Sequence, residues 1–176
     1  DGLTFTLAKF KASPGGIETD LALWLRADGG LGLSGATVNT WEDQSGQGNN
    51  GTAFSSPVWV ANSNNFNPSI NFDRSADQYI DLPDGFSDFT SGISCYVVAK
   101  PTSTADNFER FLDFGNGQDA DNIIMGRIST STDMMFESWN NATRGRSEAT
   151  GILEQENNTI YGAILPGGSV SDQPGA

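Results

Sequence analysis

The chain has 176 residues, a net charge of −13 and no histidine. Such an acid excess repels phosphate backbones and anionic lipid surfaces, which excludes nucleic-acid and membrane partners. Without histidine, the usual zinc ligand and the general base of Ser-His-Asp and Cys-His catalysis are also missing. The length suits one core, and the 21 glycines with no sustained 3.6-residue apolar period point to an all-β class. Cys95 is the single cysteine, so no internal disulfide forms, and its apolar run makes it a core residue. No stretch reaches the apolar length of a membrane span, and no signal peptide is seen.

In chain order, residues 3–10 (LTFTLAKF) alternate apolar and polar residues and read as a half-buried edge strand ended by Pro14-Gly15-Gly16. Leu21 to Leu25 follows as an apolar strand, and the Gly-rich run 31–40 reads as weakly structured. Residues 57–61 form a short strand, and 62–68 a polar loop. Residues 70–72 and 79–82 read as the two arms of a hairpin. Phe86 and Phe89 suggest one helical turn. Ile93 to Lys100 is the strongest strand by β-branched and aromatic content and is placed at a sheet centre. Further strands are expected at 108–114, 122–128, 134–139, near 151–154 and at 159–165, with a polar turn at 140–146. Ten to twelve short strands at this spacing favour a β-sandwich.

The loop Trp41-Glu42-Asp43-Gln44-Ser45-Gly46-Gln47-Gly48-Asn49-Asn50-Gly51-Thr52 packs carboxylates, amides and a hydroxyl against three glycines. Carbonyls and carboxylates in such a loop can converge on a hard cation such as Ca²⁺, and the same residues also build Asx and Ser/Gly turns with no metal. Asp119 and Asp121 alternate within a second candidate calcium loop, with a solvated turn as its other reading. Rings that could stack on a sugar are Tyr79, Trp59, Trp139 and Tyr161; Trp139, beside Asn140 and Asn141, is the first choice for an exposed one. A peptide pocket formed by loops is the comparable alternative.

Taken together, Leu25-Arg26-Ala27-Asp28-Gly29-Gly30, the loop from Trp41 to Thr52, Ile70-Asn71-Phe72-Asp73 and Gln78-Tyr79-Ile80-Asp81-Leu82-Pro83 resemble the opening half of laminin-G-like, concanavalin A-like jelly-roll domains of large secreted or surface bacterial proteins. The resemblance implies a two-sheet antiparallel jelly-roll sandwich over residues 1–165, with 166–176 as tail or linker. It also implies one structural Ca²⁺ held by Asp28, Gly30 and Thr52, with Asp43 ordering the loop, so that chelation would lower the melting temperature. Family members usually finish with two or three more strands. Here the chain stops after Leu165, so those strands are missing, come from another segment, or are replaced in part by residues 3–10.

The expected function is a non-catalytic, calcium-stabilised extracellular recognition or adhesion module for a glycan or peptide, within a longer multidomain chain at the cell surface. One alternative is a structural spacer or split scaffold domain that presents another binding domain. The other is a glycoside-active jelly roll, for which two carboxylates are required. Glu137, flanked by Phe136 and Trp139, is the strand carboxylate to examine for that chemistry.

Overall fold

The computed structural model describes residues 13–17, 19–85, 89–102, 107–115, 122–140 and 143–167. The predicted strand 3–10 and the loop with Asp119 and Asp121 fall outside these residues, as does most of the expected turn around Phe86. Among the described residues there are twelve strands, two short 3-10 turns and no α-helix, and every strand pairing is antiparallel. This is the all-β class that composition requires. The chain divides into two compact units, Asp1–Phe86 and Ser87–Ala176.

The first unit is one sheet in the order β5-β4-β2-β3-β6, with β1 paired to β2. Its strands are β1 (Leu31–Ser34), β2 (Thr37–Trp41), β3 (Gly51–Phe54), β4 (Val58–Asn64), β5 (Asn67–Asn71) and β6 (Tyr79–Asp81). The run expected to be weakly structured is in fact the β1–β2 hairpin, turned at Gly35 and Ala36. Its glycines hid a period-2 pattern, Thr37-Val38-Asn39-Thr40, in which Val38 is buried.

The polar loop 62–68 is likewise mostly strand. Asn65 and Phe66, both at positive φ, make the tight turn between β4 and β5. The expected hairpin of 70–72 with 79–82 does not form. Ile70 pairs with Trp59 and Tyr79 with Phe54, so the two segments lie at opposite ends of the sheet. Asp73 redirects the chain between them: its carboxylate accepts from the Ser75 N–H (2.8 Å) and caps the Arg74–Ala76 turn.

The second unit stacks two layers. One is a four-stranded sheet ordered β11-β10-β9-β8, and the other is the β12–β7 ribbon. The bounds are β7 Gly92–Ala99, β8 Arg110–Phe114, β9 Ile123–Arg127, β10 Met134–Asn140, β11 Thr143–Ala149 and β12 Thr159–Pro166. Met125, Met134, Leu153 and Tyr161 are buried between the layers, with Cys95, Phe111, Phe136 and Ala163 packed against them. Two layers around one core is consistent with a β-sandwich.

Three expectations are corrected here. The span read as a turn at 140–146 is mostly β11, while 151–154 is not a strand and contributes only the buried Leu153 to the core. The segment placed at a sheet centre, β7, pairs with β12 alone among the described residues. Burial of the Cys95 side chain pushes its thiol up to about 11. Alkylation at pH 8 is therefore expected to be slow in the native protein and fast in denaturant; rapid native labelling would show that the ribbon opens.

Candidate functional site

The acidic loop organises itself around Asp43. One carboxylate oxygen, Oδ1, accepts from the backbone N–H of Trp24 (2.9 Å) and of Ser45 (2.8 Å). The other, Oδ2, accepts from the Ser45 hydroxyl (2.6 Å) and the Asn49 N–H (3.1 Å). Asn50 Oδ1 receives the Asp43 N–H, and Asn49 Nδ2 donates to Ala22 O (2.8 Å). Burial alone would raise the Asp43 pKa, but these hydrogen bonds outweigh it and hold the carboxyl below its usual range. The segment 21–25 consequently forms no ladder. It runs beside the loop, with Trp24 O accepting from the Gln44 N–H (2.8 Å).

The Asp43 carboxylate is not turned toward a cation. Both oxygens of Asp43 face N–H and O–H donors, which is the wrong polarity for a metal ligand. Asp28 is paired with Arg26 through two hydrogen bonds (2.9 and 2.7 Å), and that guanidinium holds its carboxyl below the usual range. Gly30 O accepts from the Glu42 N–H (2.7 Å). Gly30 sits at φ +72°, a conformation strained for any residue with a Cβ, and a Cβ there would also lie 3.0 Å from Glu42 O. Thr52 sits on β3 opposite Thr40 and Asp81. Among the described residues no three His, Cys, Asp or Glu side chains gather into a metal-holding group.

The ring candidates separate by what their polar atoms and faces already touch. Trp59 is half-buried, and its indole N–H donates to Ala27 O (2.9 Å); Trp41 does the same to Arg26 O (2.7 Å). Both rings pin the 26–30 turn. Trp139 donates to Glu137 Oε1 (3.0 Å), and the Arg144 guanidinium covers one ring face at 5.4 Å. Arg146 and Arg144 approach the other oxygen of the buried Glu137, at 3.8 and 4.0 Å. The carboxylate raised as a catalytic candidate is thus surrounded by its own neighbours. Asn140 pairs through its backbone with Thr143, and its side chain and Asn141 lie outside the described residues.

Tyr79 is different. It is 49% exposed and stacks on Phe54, itself 42% exposed, with centroids 4.7 Å apart and planes 4° from parallel. The register explains why. Phe54 and Tyr79 are direct cross-strand partners, and strand alternation puts Thr52, Asp81 and Thr40 on the same exposed face. The opposite face carries Gly51, Ala53 and Ile80. Gly51 is required there, because a Cβ would come within 2.3 Å of Ile80.

Phe54 was missed at the sequence level because its partner lies 25 positions away. The alternation of Thr52 and Phe54 after the glycine was the available signal. Since β6 pairs with β3 alone among the described residues, the far face of Tyr79 looks outward from the sheet edge. In the same unit a cleft of about 400 Å³ is lined by Asp20, Leu21, Ala22, Gln47, Asn49, Asp84 and Gly85. Comparison of the chain with protein-family models, with curated proteins and with solved structures returns no match.

Proposed function

We propose that the chain is a non-catalytic extracellular recognition or adhesion module, built on a laminin-G-like jelly-roll frame, that takes a carbohydrate on the outer face of β3 and β6. The observation that carries this reading is the exposed Phe54–Tyr79 stack flanked by Thr40, Thr52 and Asp81. A pyranose presents an apolar C–H face to an aromatic ring and hydroxyls at its rim, where Asp81 and the threonine hydroxyls can exchange hydrogen bonds. The net charge of −13 favours a neutral glycan over a uronate or sulfated one, and the acidic surface suits a saline medium outside the cell.

A peptide ligand is the second reading, supported by the outer edge of β6, which pairs with no further strand among the described residues and to which an extended segment could add. Binding to a neutral glycan array, followed by titration calorimetry on the best ligand, tests the first. Tyr79→Ala is expected to weaken binding about 10-fold with an unchanged melt, because an exposed ring is removed without disturbing the core. Phe54→Leu should have a smaller effect. Equal affinity of Tyr79→Ala and wild type would move the ligand off this face, and a peptide that still binds Tyr79→Ala would favour the edge reading.

A further inference from the structure

The β7–β12 ribbon carries the most conspicuous apolar surface among the described residues. Its register pairs Val98 with Ile160, Tyr96 with Gly162 and Ser94 with Ile164, so all six share one face. Tyr96 is 67% exposed, Val98 66%, Ile160 71% and Ile164 63%. The other face, with Cys95, Ala99, Tyr161 and Ala163, belongs to the core. Both strands lack charge from Ile93 to Ala99 and from Thr159 to Pro166. A strand apolar on both faces is the pattern of one covered on both faces, and among the described residues only one side is covered.

The four exposed side chains leave roughly 500 Å² of apolar surface, near the upper end of what a soluble monomer shows. We propose that this face is a self-association surface, on which a second copy of the chain stacks the same ribbon about a two-fold axis. Area decides the occupant. A specific interface needs about 1,000 Å² in total, which this face reaches only against an equally flat apolar surface, as another β7–β12 ribbon would be. The face carries no charge with which to select a partner of opposite sign. A two-fold axis also places each of its residues against an equivalent set on the other copy.

The area is at the lower limit for a stable pair, and each copy brings a charge of −13. Association is therefore weak and strengthens as salt screens the repulsion. This inference is independent of the glycan reading, which concerns the other unit.

Sedimentation velocity on the full chain over a concentration series, at about 50 mM and about 500 mM salt, tests it. The expected result is a rise from the 18.7 kDa monomer toward twice that mass, with a midpoint several-fold lower at high salt. Ile160→Asp should remain monomeric throughout with an unchanged melt. Ile164→Thr, which keeps a β-branched strand residue, should weaken association several-fold. Phe66→Asp removes an apolar side chain that is 87% exposed on the β4–β5 turn and should associate like wild type. A monomeric wild type at every concentration and salt overturns the proposal. So does undiminished association of Ile160→Asp, or a loss in Phe66→Asp as large as in Ile160→Asp.

Discussion

Alanine in place of Arg127 is expected to lower the unfolding free energy by about 3 kcal/mol, from the cavity left by a buried long side chain and the loss of an ion pair whose other member, Glu109, is only half-buried. Arg127 is 1% exposed in the second unit. Its Nε donates to Glu109 Oε2 (2.7 Å) and its Nη1 to Ser131 O (2.6 Å). The Arg127 N–H also donates to Glu109 O (2.8 Å). One side chain thereby ties the approach to β8 to the turn between β9 and β10. Removing it leaves a carboxylate and a carbonyl that had shared its charge, together with a cavity the size of a long side chain. Urea denaturation reads the loss directly. The double variant Arg127→Met/Glu109→Leu separates charge from volume, since it removes both ions while keeping the space filled. It should recover at least half of the deficit. An Arg127→Ala variant within about 1 kcal/mol of wild type would mean that the guanidinium is solvated in solution.

For Asp43 the expected loss on substitution by alanine is about 3 kcal/mol, in line with the removal of several hydrogen bonds to a charged acceptor that share one network. Four donors converge on this carboxylate, from Trp24, Ser45 twice and Asn49. Without it those N–H groups face one another in a half-buried corner. The pH dependence distinguishes this role from simple packing. Burial opposes ionisation, the hydrogen bonds more than offset it, and the folded-state pKa lies below the unfolded value. The contribution of Asp43 is accordingly complete above the unfolded carboxyl value of about 3.9 and is lost as the pH falls through the lower folded value. Asp43→Asn keeps the shape but not the charge, so its stability should fall less steeply below pH 4 than that of wild type. Parallel acid profiles for the two proteins would remove the carboxylate from the account of this corner.

The corner was legible because its chemistry is local. Asp43, Ser45 and Asn49 lie within seven residues, so the same oxygen-rich, glycine-spaced pattern that suggests a cation site also describes a loop folding onto one carboxylate. The choice between them rested on Trp24, which lies 19 positions from Asp43, and on Arg26, whose pairing with its near neighbour Asp28 was missed at the sequence level. One supplies an N–H to Asp43, and the other occupies Asp28. The ring candidates divided in the same way. Sequence placed Trp59, Trp139 and Tyr79 on strands, but the partners of their polar atoms and faces, Ala27, Arg144 and Phe54, come from other segments.

What this sequence determined by itself is the all-β class, the position of most strands and the turn chemistry around Asp43, because each depends on periodicity or on hydrogen bonds spanning a few residues. The tertiary structure alone decided which strands pair. It set 70–72 and 79–82 at opposite ends of a sheet, and it made β7 half of a ribbon. It also brought Phe54 beside Tyr79. Antiparallel pairing is chosen by burial and register summed over a whole sheet, and a strand's own residues carry the face it shows but not the neighbour it meets.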